Sequence, residues 1–364
     1  MNHSRLLAAS EEHITPLAVV DDDVRERNLK RMQDRANAHG LRLRPHAKTH
    51  KSSVLAVRQL AHGAVGLTAA TMREADVFAE AGVADLLIAH PPAGKPKLQR
   101  LQELATRVRR LAVALDTVEL AESLPEAVEI LWEVDTGLHR LGTTPGQPTL
   151  DAVKRLVEVV GPARFRGLMT HGGHSYRATD DTQLTAAAQD ESGGLVASAA
   201  LIRAAGIEVR ELSIGSTPTA AHVEMAGGVT EMRPGTYVYG DANQVTLGSQ
   251  ALEDCALAVV ATVVSRPERT RAVVDSGSKS LPADLRVAGL NGYGIVLGHP
   301  GVTLDRISEE HGVLVSESAI DLSVGDRVAI IPAHACTTVN LHPALLVIRG
   351  SQSRWEPVDA RGWR

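Results

Sequence analysis

Residues 110–135 read RLAVALDTVELAESLPEAVEILWEVD, in which two short apolar runs enclose a charged, Ala-rich stretch. Apolar runs of this length predict buried strands, and the segment between them predicts a helix. The same alternation recurs from Leu17 onward. Its strand-like runs are LAVVD (17–21), LRLRP (41–45), AVGLTA (64–69), DLLIAH (85–90), RLAVALD (110–116), EILWEVD (129–135), FRGLMTH (165–171) and ELSIGS (211–216).

Strands and helices that alternate in this way are typical of a parallel sheet. About eight such units favour a closed (β/α)8 barrel of the TIM type over residues 17–250. An open doubly wound sheet is the alternative, but no GxGxxG follows the first strand.

A different pattern begins near residue 251. The runs ALAVVATVVSR, RAVVDSGS, RVAIIP and ALLVIRG are strand-like and are separated by turns. They predict a mainly antiparallel β domain over residues 251–364. Residues 1–16 are expected to join this domain, because the barrel does not need them.

Composition excludes several classes of protein. Of 364 residues, 44% are hydrophobic, 22% are charged and 2% are aromatic, with a net charge of −5. The absence of a basic stripe argues against nucleic acid as a partner. No apolar run is long enough for a signal peptide or a membrane span. Two cysteines, Cys255 and Cys336, are too few for a disulfide framework, so we expect a reducing, cytoplasmic location.

Unusual polar stretches follow four of the predicted strands. In a parallel barrel the functional residues lie at the carboxyl ends of the strands, so these stretches should meet on one rim. They are PHAKTHK (45–51), DTGLHRLG (135–142), THGGHSY (170–176) and IGSTPT (214–219).

The stretch IGSTPT has the composition of a phosphate-binding turn. Its glycine permits close approach of the backbone, and hydroxyl and N–H groups at a helix start bind phosphate. An ordinary turn is the alternative. MRPGTYVYGD (232–241) supplies a second Gly/Thr/Tyr cluster, and no GxxxxGK[ST] motif for ATP is present.

RPHAKTHK (44–51) concentrates positive charge around Lys48. Its neighbours Arg44, His46, His50 and Lys51 should disfavour the ammonium form and make a neutral amine available for a Schiff base. A solvated basic turn is the alternative. A reactive lysine together with a phosphate-binding turn predicts pyridoxal 5′-phosphate (PLP). We favour Lys48 over Lys51 because it lies nearer the end of the strand.

A metal site is the second candidate feature. In PAHACTTVNLH (332–342), a β-strand would place His334 and Cys336 on the same face. Imidazole and thiolate are ligands for Zn²⁺, and two protein ligands would leave an open, catalytic site. The alternative is a buried cysteine beside a strand histidine.

The ordered series of motifs resembles the D-serine dehydratase/D-threonine aldolase family, whose alanine-racemase-type fold has a barrel and a β domain. The series is TPLAVVD, RPHAKTHK, THGGHSY, IGSTPT, TEMRPGTYVYGD, VTLGS, SEEHG, IPAHAC and RGW. The resemblance implies that Lys48 carries PLP and that His334 and Cys336 bind Zn²⁺ or Mn²⁺. It further implies that the phosphate and ring of PLP are bound by Gly215, Ser216, Thr217, Gly235, Thr236, Tyr237, Arg140, His171 and Tyr176.

The resemblance also implies a lyase acting on small D-β-hydroxy-amino acids. We expect dehydration of D-serine, and of D-threonine as well, with Lys48 as the base for the α-proton and the metal bound to the β-oxygen. His-x-Cys favours the dehydratase branch, whereas TTVNLH resembles aldolases that cleave D-threonine with a base such as His171 or His174. A racemase using Tyr293 and a non-catalytic PLP carrier are the remaining alternatives. A homodimer is implied, and Lys279, Glu310 and His311 have no assigned role.

Overall fold

The computed structural model describes residues 3–223 and 227–362; Trp363 of the terminal RGW motif lies outside the described residues. The chain divides into two compact units. We call them the β unit, formed by Met1–Arg31, Thr49–Ser52 and Thr236–Asp359, and the barrel unit, formed by Met32–Lys48, Ser53–Gly235 and Ala360–Arg364.

Seventeen strands are described. The first, β1 (Leu17–Asp21), belongs to the β unit. The barrel unit contains β2 (Arg42–Leu43), β3 (Leu67–Ala69), β4 (Asp85–Ile88), β5 (Arg110–Leu115), β6 (Glu129–Glu133), β7 (Phe165–Met169), β8 (Glu211–Ile214) and β9 (Glu231–Met232). The β unit continues with β10 (Leu257–Glu268), β11 (Arg271–Val274), β12 (Gly294–Val296), β13 (Thr303–Ile307), β14 (Gly312–Val315), β15 (Arg327–Pro332), β16 (Ala344–Arg349) and β17 (Gln352–Pro357).

The α-helices alternate with the strands in the first two thirds of the chain. They are α1 (His3–Ser10), α2 (Asp22–Ala38), α3 (Ser53–Ala61), α4 (Met72–Glu80), α5 (Lys95–Ala105), α6 (Val118–Glu122), α7 (Gln147–Val160), α8 (Asp181–Ala204), α9 (Thr217–Ala220), α10 (Ala242–Thr246) and α11 (Ala335–Leu341). None of them has the length and apolarity needed to cross a bilayer.

The sheet of the barrel unit is parallel and closed. Its strand order is β2-β9-β8-β7-β6-β5-β4-β3. The two end strands are joined by hydrogen bonds of 2.9 Å from the Val65 N–H to the Leu43 carbonyl and from the Thr68 N–H to the Pro45 carbonyl. The prediction of a parallel (β/α)8 barrel of the alanine racemase type is confirmed.

One predicted barrel strand was wrong. LAVVD, which is β1, pairs with β10 and β16 in the sheet of the β unit. The eighth barrel strand is instead β9, a two-residue strand that the sequence pattern did not reveal. All five residues of β1 are buried, so their apolar character fits either sheet equally well.

The barrel unit has an apolar middle and a charged end. Leu87, Ala112, Ala114, Leu131 and Met169 pack together as a buried cluster on the strands. At the amino ends of the strands, buried arginines pair with carboxylates. Arg44 lies 2.7 Å from Asp85 and 2.9 Å from Glu231, and Arg166 lies 2.5 Å from Glu211.

The β unit contains a nine-stranded sheet with the order β11-β14-β13-β12-β15-β10-β1-β16-β17. An additional pairing of β10 with β11 closes its first six strands into an antiparallel barrel. The pairing of β1 with β16 is parallel. The predicted antiparallel β domain is therefore confirmed, with α11 as a helix between β15 and β16.

Candidate active site

Lys48 lies in a short 3-10 turn, Ala47–Thr49, that follows strand β2. Its side chain lines a cavity of about 480 Å³ in the barrel unit. Apolar and basic side chains make up the wall of this cavity. They include His46, Ala70, Met72, Ile88, His90, Lys97, Arg140 and Leu141.

Two neutral histidines lie close to Lys48. Burial, and then the charge of Lys48, lower the pKa of His46 well below its usual value and lower the pKa of His171 to about 3. The Nδ1 atom of His171 hydrogen bonds with the Gly215 carbonyl. Because a carbonyl only accepts, Nδ1 carries the proton and Nε2 is the acceptor atom of a neutral ring.

Two other charged residues of RPHAKTHK have partners of their own. The Arg44 guanidinium is compensated by Asp85 and Glu231 at the amino ends of the strands. The Lys51 ammonium donates a 2.9 Å hydrogen bond to Asn340 within the β unit. Of the two candidate lysines, Lys48 is thus the one that lines the cavity.

The predicted phosphate turn, Gly215 to Thr217, leads into the short helix α9. The Ser216 hydroxyl accepts from the Thr219 N–H at 3.1 Å and caps this helix. The Gly215 N–H donates to Glu191 at 2.8 Å and is therefore already engaged. A Cβ added at Gly215 would lie 3.0 Å from Cβ of Arg233, so the backbone here is closely packed.

Glu191 joins two of the predicted motifs. Its Oε1 accepts from the Gly172 N–H and from the Gly215 N–H, both at 2.8 Å, so it connects THGGHSY with IGSTPT. Burial raises its pKa, against the hydrogen bonds that it accepts. It lies in the long helix α8, where no local motif marked it.

Arg140 and Tyr176 also lie in the barrel unit. Arg140 lines the cavity of Lys48, and its guanidinium is 3.7 Å from Glu133. Tyr176 is half-buried in the 3-10 turn Gly173–Arg177. Within the described part of the chain, both ring nitrogens of the neighbouring His174 are buried without a hydrogen-bond partner.

The second Gly/Thr/Tyr cluster spans the division between the two units. Gly235 ends a segment of the barrel unit, whereas Thr236 and Tyr237 begin a segment of the β unit. Thr236 and Tyr237 are buried in the 3-10 turn Thr236–Val238. The Thr236 hydroxyl lies 3.7 Å from Sγ of Cys336, so this threonine contacts the predicted metal pair.

His334 and Cys336 stand at the start of helix α11, and the prediction that they lie in a β-strand was wrong. Strand β15 ends at Pro332, His334 is the N-cap of α11, and Cys336 lies in its first turn. The Asp241 carboxylate accepts from the Ala335 N–H at 2.9 Å and so stabilises this helix start. The two side chains nevertheless remain together, since the imidazole of His334 and the thiol of Cys336 are within hydrogen-bonding reach of each other.

Each member of the pair has a polar neighbour. Nδ1 of His334 lies 2.7 Å from Asp284, which also accepts from the Thr337 hydroxyl at 2.8 Å. Sγ of Cys336 lies 3.1 Å from the hydroxyl of Thr49, the residue that follows Lys48 in the chain. With Nδ1 bound to Asp284, Nε2 of His334 is the nitrogen that could hold a metal.

The electrostatics of this pair favour a cation. Burial opposes the charged form of His334, but Cys336, Asp284 and Asp241 together raise its pKa to about 11. Burial raises the pKa of Asp241 to about 6. In residues 3–223 and 227–362 no three His, Cys, Asp or Glu side chains form a complete metal site. An ion held by the two ligands would thus keep open positions.

Three other residues considered in the sequence analysis, Lys279, Tyr293 and Glu310, have contacts of their own in the β unit. Lys279 forms exposed ion pairs with Glu309 at 3.0 Å and Glu310 at 2.9 Å. Tyr293, the base that a racemase would need, has the Arg286 guanidinium 4.3 Å above its ring. It packs against the apolar core of the β unit.

The sequence did not reveal two carboxylates of these sites, Glu191 and Asp284. Neither belongs to one of the motifs quoted above, and each acts through a partner that is distant in sequence. His46, by contrast, lies inside the quoted PHAKTHK. The sequence alone therefore indicated that His46 lies close to Lys48.

Comparison with known protein families identifies two matching domains in the chain. Residues 20–243 match the alanine racemase N-terminal domain, and residues 256–348 match the putative serine dehydratase domain. The chain therefore has the alanine-racemase-type barrel with a dehydratase-type β domain.

Individual relatives are similar over nearly the whole chain. The D-threo-3-hydroxyaspartate dehydratase of Delftia sp. is 38% identical over 96% of this chain and 98% of its own. The D-threonine aldolase of Arthrobacter sp. is 33% identical over 96% and 93%. A cysteine-to-alanine mutant of a D-threo-3-hydroxyaspartate dehydratase, solved in a metal-free form, superposes with a TM-score of 0.87 at 35% identity over all of both chains.

The chain belongs to the D-serine dehydratase/D-threonine aldolase family, whose members are lyases of D-β-hydroxy-amino acids.

Proposed function

We propose that this chain is a PLP- and divalent-metal-dependent dehydratase of D-β-hydroxy-amino acids. D-serine would give pyruvate and ammonia. The observation that carries the proposal is the His334–Cys336 pair at the start of α11, with the imidazole fixed by Asp284 at 2.7 Å. A thiol beside an oriented imidazole is a metal-binding arrangement.

The PLP assignment is supported by the fold and by the cavity of Lys48. We assign Lys48 to covalent attachment, Ser216 and Thr217 to the phosphate, and Arg140 and His171 to the flanks of the ring. Gly215 shapes the phosphate turn rather than donating its N–H, because that group is bonded to Glu191. Tyr176 against the ring and Gly235, Thr236 and Tyr237 near the phosphate complete the proposed set. When bound, PLP supplies an electron sink for the α-carbon.

His334 and Cys336 are the proposed metal ligands. A soft thiolate with imidazole favours Zn²⁺ over Mn²⁺. A cysteine-to-alanine mutant of a relative has been solved in a form described as metal-free, which supports a metal requirement in the family. When bound, the metal supplies a Lewis acid for the β-hydroxyl group.

The protein groups then have separate tasks. The Lys48 amine removes the α-proton of the substrate, and the β-hydroxyl leaves as water. Hydrolysis of the resulting enamine consumes one water and releases a keto acid and ammonia. The neutral His171, with Nε2 as acceptor, orients the reacting groups without adding positive charge.

Aldol cleavage of D-threonine to glycine and acetaldehyde is the second candidate. The observation in its favour is His174, whose two buried ring nitrogens have no partner in the described chain. This ring, or His171, could take the β-hydroxyl proton, after which the Cα–Cβ bond breaks. The same metal ligands would serve either reaction.

A product assay on the PLP- and Zn²⁺-loaded protein separates the two. D-serine and D-threonine would be supplied, and keto acid, ammonia, glycine and acetaldehyde followed together. Keto acid with ammonia supports the dehydratase, and glycine with acetaldehyde overturns it in favour of the aldolase. Absence of all four products, with chemically loaded PLP and metal, contradicts both.

Two properties accompany the proposal. We expect a homodimer, which light scattering of the loaded protein would test. We also expect a reducing compartment such as the cytoplasm, because Cys336 must stay a free thiol to bind the metal.

A further inference from the structure

A second concavity in the barrel unit adjoins the cavity of Lys48. It encloses about 720 Å³, and its wall contains Arg73, Lys97, Arg100 and Arg361. Of the described residues in this wall, Asp76 is the one carboxylate. We call it the outer concavity.

The carboxylate of Asp76 is already neutralised. Asp76 lies 2.7 Å from Nε of Arg100 and 3.2 Å from Nη1 of Arg107. Arg107 itself is not part of the wall. The described wall of the outer concavity thus contains four basic residues, Arg73, Lys97, Arg100 and Arg361, and one carboxylate, in a chain whose overall charge is −5.

Lys97 and Met72 line both the outer concavity and the cavity of Lys48. The inner wall carries further basic groups, among them His90 and Arg140. Of the described residues that form this inner wall, none is an aspartate or glutamate. The two cavities thus form one basic path that ends at Lys48.

Among the cations of this path, Lys97 lines both cavities. Its side chain is half-buried, in the first turn of α5. Across residues 3–223 and 227–362, no carboxylate forms an ion pair with it. Arg100, by comparison, has both Asp76 and Glu103 as partners. A partly buried ammonium without a counter-ion is favourably placed to bind an anion from solution.

We propose that the outer concavity is an entrance for anions and that Lys97 binds a second carboxylate of the substrate. The inference rests on the proposed function and narrows it to D-β-hydroxy-amino acids with an acidic side chain, of which 3-hydroxyaspartate is the smallest. A monocarboxylic substrate such as D-serine has no group for Lys97. It would therefore gain nothing from this cation.

The specificity test compares two substrates in three proteins. kcat/KM is measured for D-3-hydroxyaspartate and for D-serine in wild type, Lys97→Met and the control Lys95→Met, whose exposed lysine lines neither cavity. The ratio of the two kcat/KM values should fall by about 10- to 100-fold in Lys97→Met, the loss expected for a charge-assisted contact. In Lys95→Met it should not change. An unchanged ratio in Lys97→Met overturns the inference and leaves the proposed function intact.

A binding test separates failure of this inference from failure of the proposed function. Maleate and propionate, which cannot react, are titrated into the PLP- and Zn²⁺-loaded protein by calorimetry. Wild type should bind maleate more tightly than propionate, and Lys97→Met should lose at least tenfold of that preference. If this holds while no substrate is turned over, the anion site stands and the proposed reaction is wrong. Equal binding of both acids by wild type overturns the anion site.

The proposed anion entrance is tested by measuring how kcat/KM depends on salt concentration. Electrostatic steering of a dianion decreases as ionic strength rises. The double variant Arg73→Gln/Arg361→Gln replaces two arginines that line the outer concavity and do not line the cavity of Lys48. It should flatten the salt dependence of kcat/KM for D-3-hydroxyaspartate. An unaltered salt dependence contradicts the entrance.

Discussion

The carboxylate of Asp284 and Nδ1 of His334 lie 2.7 Å apart, although 50 residues separate them in sequence. The contact fixes which imidazole nitrogen faces outward, and the Thr337 hydroxyl fixes the carboxylate in turn at 2.8 Å. Such a carboxylate–histidine pair orients a metal ligand before the metal binds.

Replacing Asp284 should therefore weaken metal binding. In Asp284→Ala we expect the dissociation constant for Zn²⁺ to rise about 10- to 100-fold, measured by competition with a chelating dye. Asp284→Asn, which keeps an oxygen acceptor, should fall between this variant and wild type. The control is Asp305→Ala, at an exposed aspartate in β13. Unchanged zinc affinity in Asp284→Ala would show that the contact does not support the ligand.

Glu191 should stabilise both turns that it connects. In Glu191→Ala the Gly172 and Gly215 N–H groups lose their acceptor. Because each unsatisfied buried donor costs about 1–3 kcal/mol, loss of the acceptor for both should lower the free energy of unfolding by about 2–6 kcal/mol. Glu191→Gln keeps the Oε1 acceptor and should be milder. Urea unfolding measures this, with Glu158→Ala on the exposed face of α7 as control. Equal effects of the alanine and glutamine variants would contradict a role for the two hydrogen bonds.

His171 should make the cofactor-free protein sensitive to acid. Its pKa is about 3 in the fold and about 6.5 in an unfolded chain, so below pH 6.5 only the unfolded chain takes up the proton. The fold is thus destabilised progressively as the pH falls from about 6.5 to 3. His171→Gln should reduce the slope of unfolding free energy against pH by about 1.4 kcal/mol per unit near pH 5. The same series on His39→Gln, an exposed histidine, should match wild type. A slope unaffected by His171→Gln would argue against a neutral buried ring.

The stability of the barrel unit should depend on the buried ion pairs at the amino ends of its strands. Arg166→Met leaves Glu211, 2.5 Å away and buried, without its closest partner. We expect unfolding to become easier by about 3–5 kcal/mol, as for other broken buried ion pairs. Arg155→Met, which removes an exposed pair 3.7 Å long, should change stability by less than about 1 kcal/mol. Similar losses of unfolding free energy in the two variants would show that the buried ion pair contributes no more to stability than the exposed one.

The sequence predicted the barrel architecture well because each strand–helix unit has a local signal. It failed for LAVVD, since the partners of β1 lie more than 230 residues away, as in Leu17 with Val260. The apolar residues of a strand predict that the strand is buried, but they do not predict which sheet it joins. Strand β9 was missed for a different reason, because a strand of two residues is too short to show a hydrophobic period.

For the site, local motifs supplied the candidate residues but not the residues that support them. PHAKTHK and PAHAC contain Lys48, His334 and Cys336, whose roles are those proposed above. The assumed strand at His334 was wrong because the β-branched TTV that follows favours a strand, whereas here it continues a helix capped at His334. Asp284 and Glu191 act on these motifs from distant segments, so no spacing rule could reveal them.

The most direct test of the account is reconstitution with metal. Protein loaded with PLP is freed of metal by chelation, and Zn²⁺ is returned in known amounts while keto acid release from D-β-hydroxy-amino acids is followed. We expect no activity without metal, full recovery at one Zn²⁺ per chain, and no recovery in His334→Ala or Cys336→Ala, although both variants should retain the PLP absorbance due to Lys48. Activity that survives chelation, or that persists in both variants, would contradict this expectation.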